Sequence, residues 1–308
     1  MINFYKTAGS SIREVEEYED GAWINLINPT EEEIYMASRF AEADLVFIKA
    51  ALDDEETSRI ETEDEQTLII VDVPMAEKEE DGTVVFSTLP LGVVMTKKGI
   101  ITVALKETSV ISDFKNGIIR GVDTMQKTRF LLLLMLRAAN RYLFHLRQIE
   151  KASDRSEDEL YKSQRNQEIM QLLNLEKSLV YFSASLKSSE ATLEKLLRGR
   201  IIKLYDEDQE LLEDVIIEFK QAIEMADIYT HTLNSTMDAY ASIISNNMNQ
   251  IMKVLTLMTI FMTIPTIKFS YYGMNVTNLP IANSVFPIVV SGIAIGLIWL
   301  FLKKRDIF

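Results

Sequence analysis

The chain has 308 residues, 47% of them hydrophobic, no cysteine and a formal net charge of −14. An acidic excess of that size disfavours nucleic acid as a partner; it reads either as a solvated, self-repelling surface or as a body that attracts cations. The lack of cysteine excludes a disulfide framework and agrees with a reducing compartment.

Met1 to Ser10 has neither a basic start nor an apolar core, so no signal peptide is expected. Gly21 to Ile27 reads as a strand broken by Asn28-Pro29. Thr30 then caps a helix, with Glu33 three residues on to complete a capping box. Thr67 to Val73, Thr83 to Ser87, Leu91 to Thr96 and Ile100 to Leu105 are rich in Val, Ile and Thr. Turn residues such as Asp81-Gly82 and Lys98-Gly99 divide them, which predicts further strands. Residues 1–120 therefore form an α+β domain large enough for its own core.

From about Thr124 onward the apolar spacing is helical, through Leu146, from Ile169 to Leu197, and again from Leu211. Polar stretches at Lys151 to Asp158 and Arg198 to Arg200 separate these runs, giving a helical region over 121–204. Phe130 to Leu136 is too short to span a bilayer and is bracketed by Arg129, Arg137 and Arg141, so it reads as a buried helix face. No proline lies between Pro90 and Pro265, so a single helix is expected over 205–272. It would rise as a rod at about 1.5 Å per residue.

The last sixty residues change character. Ile251 to Tyr272 is apolar apart from Thr, Ser and two lysines, Lys253 and Lys268, near its ends, and Phe286 to Leu302 carries no charge. Lysines near helix ends can extend to the interface, so both runs read as transmembrane helices, the second over 286–302. Residues 273–285 form a loop without basic residues, and the tail over 303–308 holds Lys303, Lys304 and Arg305. The positive-inside rule places that tail, and by two crossings the N-terminal part, in the cytoplasm of a multi-pass cell-membrane protein. Charge follows the same division, with 27 basic against 45 acidic residues in the first 249, about −18.

Enzyme signatures are absent: no phosphate-cradling glycine loop, no paired zinc histidines and no Ser/His/Asp set. His145 and His231 sit alone in helical sequence and read as surface or packing residues. Neither an enzyme nor an organic cofactor is expected. In the first membrane run, Asn249, Met252, Thr256, Thr259, Thr263, Thr266, Ser270 and Gly273 follow at alternating steps of three and four, on one helix face. Such a stripe serves either tight helix packing or a water-filled path, and the latter needs several copies around an axis. Gly292 and Gly296 in the second run read as helix-packing residues.

Tyr272-Gly273-Met274-Asn275 follows the first run directly, and a second run comes shortly after. With the acidic N-terminal part and the basic tail, this resembles the CorA family of magnesium transporters, whose hallmark is Gly-Met-Asn at this place. Asn249 to Thr256 also looks like the family's helix entering the membrane, and Ser242 to Asn247 resembles the stretch before it. The resemblance implies a funnel-shaped homopentamer that conducts divalent cations, magnesium foremost, across the membrane. It implies a mouth at Tyr272, Gly273, Met274 and Asn275, and a pore lined by Asn249, Met252, Leu255, Thr256, Thr259, Thr263 and Thr266.

The chain departs from the family at Thr263, where a methionine is common, and in its acid-free Leu279-Pro280-Ile281. Lys268 is a third departure; it falls off the polar stripe and is expected to reach lipid headgroups. Family carboxylates at subunit interfaces bind regulatory magnesium. Asp214 matches one such position, its usual partner position holds Ala50, and Asp53 and Asp54 lie one turn on. Two other readings stand: a zinc or other transition-metal transporter of the ZntB branch, which has Gly-Ile-Asn, and a non-conducting membrane-tethered metal sensor.

Overall fold

The computed structural model describes residues 1–9, 11–78, 84–163, 166–199, 202, 205–274, 281 and 285–304. It divides into two compact units, Met1–Met237 and Asp238–Phe308.

The first unit is built on a seven-stranded sheet. In chain order its strands are β1 (Ile2–Ala8), β2 (Ser11–Val15), β3 (Trp23–Ile27), β4 (Arg59–Glu63), β5 (Gln66–Lys78), β6 (Val84–Met95) and β7 (Ile100–Ala104), arranged β2-β1-β3-β7-β6-β5-β4. Among the described strands β3 and β7 run parallel and the other neighbours antiparallel. Helices α1 (Glu31–Ala41) and α2 (Leu45–Ala50) cover one face, closing a core of Ile24, Leu26, Ile34, Phe47, Ile48, Leu68, Val94 and Val103. Gly92 permits this approach, since a Cβ there would lie 2.4 Å from the Ala51 side chain.

α1 starts as its sequence dictates. The Thr30 side chain accepts from the Glu33 N–H, and the Glu33 carboxylate takes the Thr30 N–H at 2.8 Å, so two orphan donors are satisfied reciprocally. The other face of the sheet carries α3 (Ser109–Lys115), α4 (Lys127–Ser163) and α5 (Asn166–Gly199). Trp23 packs there against Phe130 and Phe114, with ring centroids at 5.3 and 6.3 Å. Its indole N–H donates to Thr102 Oγ1, which donates to Asn25. The run Phe130 to Leu136 lies inside α4, with Phe130, Leu131, Leu132, Leu134 and Met135 fully buried. His145 is buried, packs on Phe86 and meets the Gln148 amide, a packing role; burial lowers its pKa.

Three details differ from the sequence expectation. The described parts of the segments expected at Thr83 to Ser87 and Leu91 to Thr96 fall in one strand, β6 (Val84–Met95), with Pro90 inside it. β7 pairs with β6 only from Leu91 on, and β4 pairs with β5 only as far as Ile70. Pro90 and Pro74 therefore lie where the β5–β6 hairpin extends as a two-stranded ribbon, and each missing N–H costs no ladder bond on the open side. The polar stretch Lys151 to Asp158 does not end a helix; it is the solvated part of α4. The hairpin β1–β2, strand β4 and helices α2 and α3 were not foreseen. The Asp81-Gly82 turn lies outside the described residues.

Asp113, only 3% exposed, ties α3 to α4. It accepts from Arg137 Nε at 2.6 Å and from Arg141 Nε and Nη2 at 2.8 and 2.7 Å. Burial opposes its ionisation, but the hydrogen bonds from Arg137 and Arg141 outweigh burial and hold the carboxyl below its ordinary value. Removing the carboxylate leaves two guanidinium groups half-buried without their partner. Asp113→Ala is therefore expected to cost about 3 kcal/mol, read as a lowered midpoint of thermal unfolding. The folded pKa lies below the unfolded one, so the contribution is full above the unfolded value of about 4 and fades as pH falls through the folded one. The gap between wild type and Asp113→Ala should thus narrow only below about pH 4. A gap that stays constant to pH 2.5 would contradict the ion pair.

Helix α6 runs from Asp206 to Tyr272 without a break, and α7 spans Val285–Lys304. Both are long and apolar enough to cross a membrane. The 20 residues of α7 make a helix of about 30 Å, the thickness of a bilayer's hydrocarbon core. Pro265 sits inside α6 and removes one backbone donor, a defect that membrane helices tolerate.

Candidate functional site

The membrane part of α6 has two unlike faces. Asn249, Met252, Thr256, Thr259, Thr263, Thr266, Ser270 and Gly273 are all exposed in the single chain. Leu257, Ile260, Phe261, Ile264, Lys268 and Tyr272 are partly covered. At about 100° per residue these two sets lie on opposite sides of the helix. On α7 the matching covered positions are Pro287 and Ser291, both buried. Among the described residues neither Gly292 nor Gly296 has a neighbour within 4 Å of where a Cβ would stand. The Gly-x-x-x-Gly pair therefore does not pack α7 onto α6 within the chain.

The four threonines of the open face share one arrangement. Thr256, Thr259, Thr263 and Thr266 donate their hydroxyl protons to the carbonyls of Met252, Leu255, Thr259 and Met262, at 2.7 to 2.8 Å. Each proton is thus committed to the backbone, and each oxygen keeps lone pairs free. The stripe is a row of acceptors interleaved with methyl groups. A hydrated cation turns its water oxygens inward and its water hydrogens outward, so its shell presents donors. An acceptor row suits such a shell and offers little to a hydrated anion. Leu255 lies beside the stripe, 55% exposed, with Met252 at 52%.

α6 ends at Tyr272. The Gly273 N–H closes the last turn on the Phe269 carbonyl at 2.8 Å. A Cβ at Gly273 would come within 3.1 Å of that same oxygen, so the glycine lets the chain leave the helix closely. Met274 is exposed. Asn275 and Leu279-Pro280 lie outside the described residues. Tyr272 meets Phe286 edge-on at 6.2 Å, joining the ends of α6 and α7. At the other end of α7, Lys303 Nζ lies 5.1 Å from the Trp299 ring centroid.

The carboxylates singled out in the first unit stand on separate elements. Asp53 and Asp54 are exposed in the turn after α2, where Asp53 accepts the Glu55 N–H, and Asp214 is exposed on α6. Among the described residues no three His, Cys, Asp or Glu side chains come together to hold a metal ion. One chain alone does not assemble Asp53, Asp54 and Asp214 into a site. The sequence reading placed Lys268 off the stripe, as the structure has it, but did not foresee that it lines a crevice between the ends of α6 and α7. The signal was there in an aromatic pair, Tyr271-Tyr272, one turn along the same helix.

A family model described as CorA-like Mg2+ transporter protein matches residues 18–304. The cobalt/magnesium transport protein CorA of Methanocaldococcus jannaschii is 30% identical over 271 residues, which is 85% of this chain and 82% of that protein. The complete structure of the CorA magnesium transporter from the same organism superposes with a TM-score of 0.82 at 26% identity, covering 99% of this chain and 98% of that one. The ZntB cytoplasmic domain from Vibrio parahaemolyticus shares the fold alone, with a TM-score of 0.60 at 11% identity over 80% of this chain and 98% of that one.

Proposed function

This chain belongs to the CorA-like Mg2+ transporter family, and from that premise we propose that it forms a channel-like pore of five copies lined by α6. It is a membrane transporter of divalent cations, magnesium foremost, and not an enzyme. The observation that carries the pore reading is the acceptor stripe of Thr256, Thr259, Thr263 and Thr266, open in the single chain and leading to Gly273 and Met274. One helix cannot enclose a path, but a ring of copies around a cyclic axis can. At the mouth, carbonyls and the Asn275 amide oxygens would accept hydrogen bonds from waters that Mg2+ gives up reluctantly.

Lys303 and Lys304 with Trp299 at the end of α7 support a cytoplasmic tail, hence a cytoplasmic first unit. A dication entering against that tail gains about 4.6 kcal/mol per 100 mV of inside-negative potential. No pump is needed. Reconstitution into liposomes holding a magnesium dye tests the reading. Uptake should follow an imposed inside-negative potential, and Mg2+ should outcompete Zn2+. Uptake no faster than in empty liposomes would leave the membrane-tethered sensor standing, and preference for Zn2+ would favour the ZntB type despite Met274.

Asp214, Asp53 and Asp54 are proposed to bind regulatory magnesium between neighbouring copies. All three are exposed, as an intersubunit site requires, and hydrated Mg2+ accepts outer carboxylates. Facing carboxylates repel, and a bound dication reverses that contact, so loss of internal Mg2+ would favour open states. With Asp214→Lys and Asp53→Lys combined, closure by internal Mg2+ should be lost in the same flux assay. Unchanged closure would remove these residues from the sensor.

A further inference from the structure

Lys268 is a cation without a counter-ion. No Asp or Glu occurs between Asp238 and Asp306, so the membrane part of this chain, and of any identical copy beside it, offers no carboxylate. Among the described residues Lys268 has neither ion pair nor hydrogen bond. It is partly covered, and it does not face the threonine stripe. Instead it lines a crevice of about 360 Å3 between the ends of α6 and α7, walled by Tyr271, Tyr272, Phe286, Pro287 and Val290. Lys268 lies four residues before the end of α6, about 6 Å along the axis, which on the membrane reading of α6 puts it near the headgroups.

A partly covered lysine beside such a crevice is served by an anion, because an uncompensated charge at a poorly hydrated site is costly. The anion that membranes supply at this depth is a lipid phosphate. The crevice has the volume of about a dozen water molecules, which suits a phosphate and its adjoining glycerol carbons. Its remaining walls are aromatic and aliphatic, as an acyl chain requires, and tyrosines favour this interface.

We propose that the crevice holds the phosphate headgroup of an anionic phospholipid, with Lys268 as counter-ion, and that this lipid props the turn carrying Gly273 and Met274. The second half follows from the geometry. Tyr272 lines the crevice and directly precedes Gly273, so a lipid filling the space between α6 and α7 fixes the angle at which the mouth leaves the helix. The inference rests on the membrane reading of α6 and α7.

Native mass spectrometry of the detergent-purified full chain, with phosphatidylglycerol and phosphatidylcholine offered together, tests binding apart from transport. Wild type and Lys268→Arg should retain phosphatidylglycerol preferentially, and Lys268→Met should lose the preference at an unchanged oligomer mass. Millimolar inorganic phosphate should not displace the lipid. Flux in liposomes of phosphatidylcholine alone should fall severalfold for wild type and restore with added phosphatidylglycerol, while Lys268→Met should not respond. Equal retention by wild type and Lys268→Met overturns the proposal, as does displacement by free phosphate, which would make this a soluble-anion site. If wild type binds neither lipid yet still conducts, the lipid site is wrong and the transporter reading stands. If it neither binds lipid nor enters liposomes, the membrane reading itself has failed.

Discussion

Alanine in place of Asn275 should stop magnesium uptake while leaving the assembly intact. In the proposed ring of five copies the substitution would remove five amide oxygens at one level of the proposed mouth. A hydrogen bond to a charged or strongly polarised partner contributes about 1.5–3 kcal/mol, and the waters around Mg2+ are strongly polarised. Losing two such bonds from the bound ion already removes about 3 kcal/mol, a factor above one hundred at about 1.4 kcal/mol per decade. Asn275 follows the last residue of α6 by three positions in the sequence, so size exclusion of the variant is the check that assembly is kept. Uptake by Asn275→Ala at the wild-type rate, with the same elution on size exclusion, would remove Asn275 from the mouth.

The parts of this molecule that were legible in the sequence are those governed by local chemistry. Thr30 and Glu33 announce a helix start because both hydrogen bonds of the box are made within four residues. The stripe from Asn249 to Gly273 shows because helical spacing alone puts its members on one face. The division between Ser87 and Leu91 failed for a nonlocal reason: whether a strand can run through Pro90 depends on which neighbour pairs beside it, and β7 stops one residue short of it. Lys151 to Asp158 misled because a long helix can run through solvent on polar residues that look like a linker. The hairpin of β1 and β2 lacks a clear apolar alternation, since β2 is the edge strand, β1 is its neighbour, and their residues are mostly half-exposed or exposed. At the site, the stripe was readable but the commitment of its hydroxyl protons was not, because that depends on each threonine's rotamer. Asp53, Asp54 and Asp214 illustrate the last kind of gap. If they act together they do so between copies, and no pattern within one chain encodes that meeting.

The second large effect is expected at the entrance to the membrane run. Met252 lies on the stripe and Leu255 beside it, one turn from Thr256 and Thr259, and both are more than half exposed in the single chain. In a ring of five they would form an apolar collar just before the acceptor row begins. A narrow apolar collar sheds water, and a dication could not cross it without losing the outer shell that the threonine row would accept. Met252→Asp replaces the collar by five carboxylates that hold water and attract cations; Leu255→Asn makes it polar without charge. Both should raise basal conductance at high internal Mg2+ by about tenfold or more, a barrier change of about 1.4 kcal/mol. Because neither side chain is buried in the chain, assembly rather than folding is the check, and the oligomer mass should be unchanged. Val254, 53% exposed and turned away from the stripe, provides the control. Val254→Asn places the same amide on the outer side of α6 and should leave conductance as it was. A Met252→Asp protein that assembles normally and conducts no faster than wild type would assign Met252 to packing between helices, and the barrier would then have to be sought elsewhere along α6.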